Sequence, residues 1–455
     1  MCGIAGVFAP GREASRLAFF ALFALQHRGQ ESAGIAAADG TTLRSHKDMG
    51  LIGQIFDEDV LAPLTGHIAV GHTRYSTSGS SVVVNAQPLL ERSDIGDFAF
   101  AHNGNLTNTD ELRATLSPTI VLRATSDSEV MAKLLVETPG TMLERIDAVI
   151  RRARGAYSIV LCTDDELYAF RDPWGVRPLS LGKFPDGGYA VASETCALST
   201  IGAEFVREVG AGEIVRVSKD GTLYSHRVET NETPALCMFE YIYFARPDSQ
   251  LNGQSIYMAR HRMGRQLAKE HPVEADVVMA VPDSAIPGGI GFADESGLPY
   301  VEGLIKNRYI GRTFINPDQK IRSRGVHMKF NPIVENLRGR RVIVVDDSIV
   351  RGTTTPRIVQ LLREAGALEV HVRITSPPIK HPCYHGVDMA TYDELIGANY
   401  SVEEIRQKIG ADSLGYLSID GLIAATERKR DEMCLGCLNG TYPNLPAAFL
   451  PRVLA

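Results

Sequence analysis

The sequence predicts two joined folds: a sheet-rich α+β layered domain, then an α/β domain on a mainly parallel sheet. Three observations predict this. A chain of 455 residues exceeds what one ordinary compact core accommodates. Its first half consists of short apolar runs broken by turn residues, with few helical stretches. After about residue 235 apolar strands alternate with helical segments, the pattern of a parallel sheet crossed by helices. The expected domains are therefore 2–235 and 236–455. No low-complexity linker separates them, which implies extensive contact between the halves, and no internal repeat is present.

In chain order, GIAGVFA (Gly3 to Ala9) reads as a strand and Ala14 to His27 as a helix. HIAVGHTRYST and DFAFAHNGN are apolar runs that stop at polar and Gly residues, as buried strands do. Thr125-Ser-Asp-Ser-Glu before VMAKLLVE is a helix start with short side chains placed to cap it. Lys219-Asp220-Gly221 between alternating segments predicts a hairpin turn. In the second half ADVVMAVPDS, LPYVEGLI, RRVIVVDD and EVHVRITSP are strand candidates. Helices fit Tyr257 to Glu270, Ile286 to Glu295 and Pro356 to Ala365.

Composition narrows the function. The chain is 44% hydrophobic and 22% charged, with a net charge of −7. Nucleic-acid binders usually carry a basic footprint, so none is expected as a partner, although a local basic pocket for a phosphorylated molecule is compatible. The apolar run Leu17 to Leu25 is well short of the about 20 residues of a spanning helix, and no basic segment precedes it. A cytoplasmic protein with no membrane partner is expected. The seven cysteines are Cys2, Cys162, Cys196, Cys237, Cys383, Cys434 and Cys437. An odd number spread over a long chain does not read as a disulfide framework, which points some of them to catalysis or metal binding.

Cys2 directly follows Met1. A small second residue permits removal of the initiator, leaving a thiol and a free amine on one residue: nucleophile and base together. An isolated Met-Cys start is usually incidental; here MCGIAGVF, LQHRGQESAGIA, GHTRYST, HNGNLTN and SDSE follow in order. Together they resemble the class II glutamine amidotransferase domain of the N-terminal-nucleophile hydrolases, an αββα sandwich. Attack on an amide creates an oxyanion that needs fixed donors, and the resemblance places that role on Asn103 and the backbone N–H of Gly104. Arg74 suits the α-carboxylate of glutamine and Asp127 its α-ammonium, although Asp127 also reads simply as a helix cap, a job compatible with the first. His27, His72 and His102 are expected to organise structure, because the amine already supplies a base.

Arg341 to Thr355 reads RVIVVDDSIVRGTTT: an apolar strand, two acids, a polar turn and a helix start. Such a turn offers backbone N–H groups to phosphate, at the strand end where open α/β sheets bind ligands. Asp346 and Asp347 suit ribose hydroxyls and Mg²⁺, and Ser348, Arg351, Gly352, Thr353 and Thr354 would cradle a 5-phosphate. Two adjacent acids alone are common in surface turns. The thirteen-residue VIVVDDSIVRGTT is far more specific, and it resembles the phosphoribosyl pyrophosphate signature of type I phosphoribosyltransferases. That resemblance makes AVPDSAIPGG a pyrophosphate loop with Ser284 near the metal. It makes the cation-rich Lys306 to Lys329 a loop that closes over substrate. By composition alone the latter is a solvated basic loop. No GxxxxGK[ST] loop or complete dinucleotide fingerprint occurs.

Cys434-Leu-Gly-Cys437 is a CxxC pair, which alone is compatible with zinc, redox or iron–sulfur chemistry. With Cys237 and Cys383 it matches the iron–sulfur subgroup of amidophosphoribosyltransferases, whose [4Fe–4S] cluster ties down the C-terminus. Cys162 and Cys196 read as core residues. The resemblance to that family covers essentially the whole chain. It implies synthesis of 5-phosphoribosylamine from glutamine and phosphoribosyl pyrophosphate, the entry step of purine synthesis. It also implies purine nucleotides as feedback inhibitors and a homotetramer. Related enzymes with the same first domain would need a sugar-phosphate isomerase domain or an SGGxDS-type ATP loop. A non-catalytic purine regulator that binds phosphoribosyl pyrophosphate would have no use for Cys2, Arg74 and Asn103.

Overall fold

The computed structural model describes residues 1–76, 79–307, 329–389 and 391–445. Two antiparallel sheets fill the first half. One runs Glu204–Glu208, Ser180–Lys183, Tyr189–Ala192, Gly3–Phe8, Ile68–Arg74, Ser32–Ala38, Leu43–Met49. The other runs Leu223–Arg227, Glu213–Val217, Leu167–Arg171, Gly155–Cys162, Gly96–Leu106, Leu89–Ser93. Their inner faces meet through Ile4, Phe8, Val70, Ala99, Val160 and Leu167, all buried. Burial of such a Val, Leu or Phe stabilises the fold by about 1.5–3 kcal/mol each. Helices cover both outer faces. Ala14–Ala24 lays an Ala14, Ala18, Ala21 and Leu22 stripe on the first sheet. Asp127–Glu137 and Met142–Arg152 pack on the second. The result is the expected αββα sandwich.

In the second half Val277–Ala280, Arg341–Asp346, Glu369–Ile374 and Ser413–Tyr416 form a four-stranded sheet with every pair parallel. Val342, Val344 and Ile374 are buried in it, as parallel sheets covered by helices require. Helices Ile256–Glu270, Ile286–Ser296 and Thr355–Glu364 lie within a residue of their expected positions. The two halves are bolted together by a buried ionic cluster in which Arg28 pairs with both Glu194 and Glu240.

Some expectations are corrected. The first helix stops at Ala24 rather than His27. There the chain turns, with Arg28 N–H donating to Leu25 O at 2.9 Å, which carries the Arg28 side chain to its two acids. LPYVEGLI is not a full sheet strand: Tyr300 makes one parallel bridge to Val278, and Leu304–Lys306 turns away to pair antiparallel with Phe330–Pro332. Pro299 has no N–H with which to extend the ladder. The Ser413–Tyr416 strand was not anticipated. Of the expected closing loop, residues 308–328 lie outside the described residues.

Candidate active sites

The Gly3–Phe8 strand lies between two neighbours, and its register with Ile68–Arg74 pairs Gly3 with Thr73. Cys2 therefore comes level with Arg74 and Tyr75. Its Sγ lies 3.5 Å from Tyr75 N and 3.6 Å from Tyr75 O. From the facing sheet Asn103 reaches the same point, and Cys2 N donates to Asn103 Oδ1 at 3.0 Å. Asn103 is fully buried, yet its Nδ2 has no hydrogen-bond partner among the described residues. An unpaired buried donor is costly and calls for a reason. A second acceptor arriving beside the Cys2 thiol would satisfy it. Gly104 follows, and a Cβ there would overlap the Ala156 carbonyl, so no other residue fits this backbone.

Arg74 is buried; its Nη1 is held by the Glu31 carboxylate and by Ser80 O at 3.1 Å. Asp127 is the first residue of its helix rather than its cap; Ser126 stands at the N-cap and makes no capping bond. Instead Glu129 turns back to accept from Arg123 N and Ala124 N at 2.8 and 2.7 Å. Asp127 Oδ2 accepts from Leu106 N at 2.9 Å, which ties it to the end of the Asn103 strand. The three histidines are held by fixed partners. His27 Nε2 is 2.7 Å from Glu194, His72 Nε2 is 3.1 Å from His102 O, and His102 Nδ1 is 2.9 Å from Ser128. Burial, followed by the nearby Arg74 charge, pushes His72 down to about 3 and keeps it neutral.

The acid pair sits where the Arg341–Asp346 strand ends. Asp347 accepts from Ser284 Oγ at 2.5 Å and from Ser348 Oγ at 2.6 Å, so Ser284 does meet the pair. Burial raises both carboxyls above their ordinary range, and for Asp346 the Asp347 charge adds to the effect. Two crowded, partly desolvated carboxylates form a donor set suited to a hard divalent cation. Gly352 has φ +67°, the left-handed turn that lets the loop enter the Thr355–Glu364 helix. Thr353 and Thr354 are exposed at that entrance. Arg351 is directed elsewhere: its Nη2 lies 2.9 Å from Glu394 and 3.5 Å from Asp388.

One segment unread in the sequence joins the two sites. Asp388 also accepts from Tyr75 OH at 3.1 Å, and Asn105 Nδ2 donates to Tyr384 O at 3.0 Å. A Cβ on Gly386 would come within 3.1 Å of the Gly104 carbonyl. Residues 384–388 thus form a wall shared by the Cys2 site and the Arg351 turn. Nothing in their composition announced it, because the contacts join positions 279 and 313 residues apart.

The four remaining cysteines converge. Cys237 and Cys434 are register partners in a two-residue parallel ribbon. His385 N donates to Cys383 Sγ at 3.4 Å, and its Nδ1 lies 3.6 Å from Cys434 Sγ. Lys380 N and His381 N donate to Cys437 O at 3.0 and 3.1 Å. Burial, then the charges of Cys383, Cys237 and Cys434, raise the Cys437 thiol well above its usual value. Among the described residues no three His, Cys, Asp or Glu side chains are gathered tightly enough to hold one metal ion. The four thiols are nonetheless within mutual electrostatic reach, with the buried Arg177 cation beside them. Cys162 and Cys196 are buried in the apolar cores of the first half, as expected.

Comparison with known proteins agrees with both halves. The model of a glutamine amidotransferase domain matches residues 72–200. Amidophosphoribosyltransferase of Synechococcus elongatus is 50% identical over 449 residues, which is 97% of this chain and 91% of the relative. That of Methanocaldococcus jannaschii is 48% identical over 463 residues, 97% and 98% of the two chains. The solved glutamine phosphoribosylpyrophosphate amidotransferase from B. subtilis, complexed with ADP and GMP, superposes with a TM-score of 0.91 at 47% identity, covering 98% of both chains. A second structure, described as the allosteric regulatory enzyme of purine biosynthesis, gives a TM-score of 0.92 at 45% identity over 99% of this chain and 98% of that one. The chain belongs to the amidophosphoribosyltransferase family.

Proposed function

We propose that the chain makes 5-phosphoribosylamine, glutamate and pyrophosphate from glutamine, phosphoribosyl pyrophosphate and water, at the first committed step of purine synthesis. The observation that carries this reading is the buried Asn103 amide, which holds Cys2 N by its oxygen and leaves its Nδ2 donor for a developing oxyanion. Once Met1 is removed, the Cys2 amine takes the thiol proton as sulfur attacks the glutamine amide carbon. Asn103 Nδ2 and Gly104 N–H steady the oxyanion. The amine returns its proton to the departing nitrogen, ammonia leaves, and water cleaves the thioester to give glutamate. Arg74 and Asp127 hold the two charged ends of the amino acid.

Ammonia then displaces pyrophosphate from C1 of the ribose. Asp346 and Asp347 orient the ribose hydroxyls, and Ser348, Gly352, Thr353 and Thr354 receive the 5-phosphate. Arg351 joins this cradle only by leaving Glu394, its partner in the structure. Mg²⁺ would be held by Asp346, Asp347 and Ser284 and would neutralise charge on the leaving pyrophosphate. The donor set of Cys237, Cys383, Cys434 and Cys437 fits a [4Fe–4S] cluster, whose thiolates stand farther apart than the ligands of one ion. There it would clamp the tail without taking part in either reaction. Purine nucleotides as inhibitors, a homotetramer and a cytoplasmic location complete the reading. No helix among the described residues is long and apolar enough to cross a membrane.

A regulator that merely binds phosphoribosyl pyrophosphate would gain nothing from the arrangement at Cys2. The deciding experiment is glutamine-dependent release of pyrophosphate from phosphoribosyl pyrophosphate. Turnover with equal glutamate and pyrophosphate supports the enzyme; no release above a no-glutamine control would overturn it.

A further inference from the structure

The mechanism leaves one acid beside the Cys2 site without a task. Glu31 lies between the first helix and the Ser32–Ala38 strand, with its side chain only 18% exposed. One carboxylate oxygen pairs with the Arg74 guanidinium. The other accepts the Ser76 N–H at 3.1 Å. The Glu31 backbone adds two bonds, donating to Arg74 O at 3.0 Å and accepting from Gly50 N at 2.8 Å. Glu31 therefore grips the chain on both sides of Tyr75, whose backbone N and O lie at 3.5 and 3.6 Å from Cys2 Sγ.

We propose that Glu31 is a positioning residue for glutamine hydrolysis: its carboxylate aims the Arg74 guanidinium at the substrate α-carboxylate and fixes the Tyr75 backbone beside the nucleophile. This rests on the reading of Arg74 as the carboxylate anchor. A long, isolated arginine samples many rotamers, and an anchor must be ordered before the ligand arrives to avoid that entropic cost on binding. A bond from a carboxylate supplies the order at short range. The arrangement also explains why an acid is tolerated close to an anionic group of the substrate. Its charge is matched by Arg74, and its second oxygen is occupied by a backbone donor, so little of its field reaches the substrate.

The test uses the full-length enzyme with Glu31→Gln, Glu31→Asp and Arg74→Gln, and the double variant Glu31→Gln/Arg74→Gln. Glu31→Gln should raise the glutamine KM by about tenfold or more, the loss expected for one charge-assisted bond, while kcat falls much less. Synthesis from free ammonia should stay within about twofold, which reports an intact fold and acceptor site. Glu31→Asp, which keeps the charge, should recover part of the lost affinity. In the double variant the Glu31 change should add almost nothing to KM, because its effect on affinity runs through Arg74, while its hold on the Tyr75 backbone through Ser76 is read in kcat. If Arg74→Gln raises KM and neither Glu31 variant does, the inference falls and the Arg74 reading stands. If Arg74→Gln leaves KM unchanged, the Arg74 reading itself fails. Additive effects on KM in the double variant would show that Glu31 acts on affinity independently of Arg74 and would also overturn the proposal. Should Glu31→Gln not fold, Glu31→Asp is judged on the same KM and cycle.

Discussion

Replacing Asn103 by Ala should remove an oxyanion donor while leaving the strand that carries it intact. Asn103 sits inside Gly96–Leu106, paired with Ser158 of the neighbouring strand, so its backbone is fixed independently of its side chain. The substitution removes one hydrogen bond, Cys2 N to Asn103 Oδ1 at 3.0 Å, worth about 1 kcal/mol to stability. A small cavity adds about 1–2 kcal/mol. Against this, the Nδ2 donor has no partner to lose among the described residues, so its removal from the resting protein carries no further cost. In the transition state the balance differs. Loss of a preorganised donor costs about 3–4 kcal/mol, or roughly 10²–10³ in kcat. Glutamate release at saturating glutamine should therefore fall by about that factor, with ammonia-dependent synthesis preserved and only a modest fall in the urea midpoint. Hydrolysis within about threefold of the wild type, in a folded variant, would refute the assignment of Asn103 to the oxyanion.

Three further outcomes follow from the same geometry. Asp346→Asn with Asp347→Asn should abolish synthesis from both glutamine and ammonia, since the acceptor serves either nitrogen source; normal ammonia-dependent turnover would remove the pair from the acceptor site. Protein purified anaerobically should be brown and hold iron and acid-labile sulfide in near-equal amounts, and Cys434→Ser should lower stability and activity together without oxygen. One zinc and no sulfide would defeat the cluster but leave the catalytic reading untouched. His72 has a folded pKa of about 3, depressed from 6.5 by burial and then by Arg74. Its contribution to stability is therefore complete above pH 6.5 and is lost as the pH falls from 6.5 towards 3. The slope is at most about 1.4 kcal/mol per pH unit. Urea unfolding of wild type and His72→Gln across that range should differ by this one-proton slope, and parallel profiles would contradict it.

The sequence revealed what local chemistry dictates. The apolar strand running into Asp346-Asp347 and the polar turn behind it form one continuous segment, and its chemistry is visible in one dimension. The same holds for Cys2 and for the HNGN strand end. Contacts between distant segments were not visible. The Cys237–Cys434 ribbon is two residues long and joins positions almost 200 apart in the numbering, too short to show any periodicity. Asp388 gains its place only because folding brings it against Tyr75 and Arg351. Glu31 reads as an ordinary polar residue before a strand until its two oxygens are seen on Arg74 and Ser76. The Ser413–Tyr416 strand escaped notice because its SLGY sequence carries little β-branched or alternating signal. The turn at Leu25 to Arg28 was missed because helical spacing continued past the point where Arg28 must leave for its buried acids.

In the proposed function the two halves of the chain divide the labour: ammonia would be released at Cys2 and consumed at the acid pair. The most direct measurement compares two activities in one preparation of Cys2→Ala, following pyrophosphate release with glutamine and again with a high concentration of ammonium salt. Glutamine-dependent release should be absent, and ammonia-dependent release should stay close to that of the wild type. Loss of both activities in a folded Cys2→Ala protein, or retention of the glutamine reaction, would contradict it.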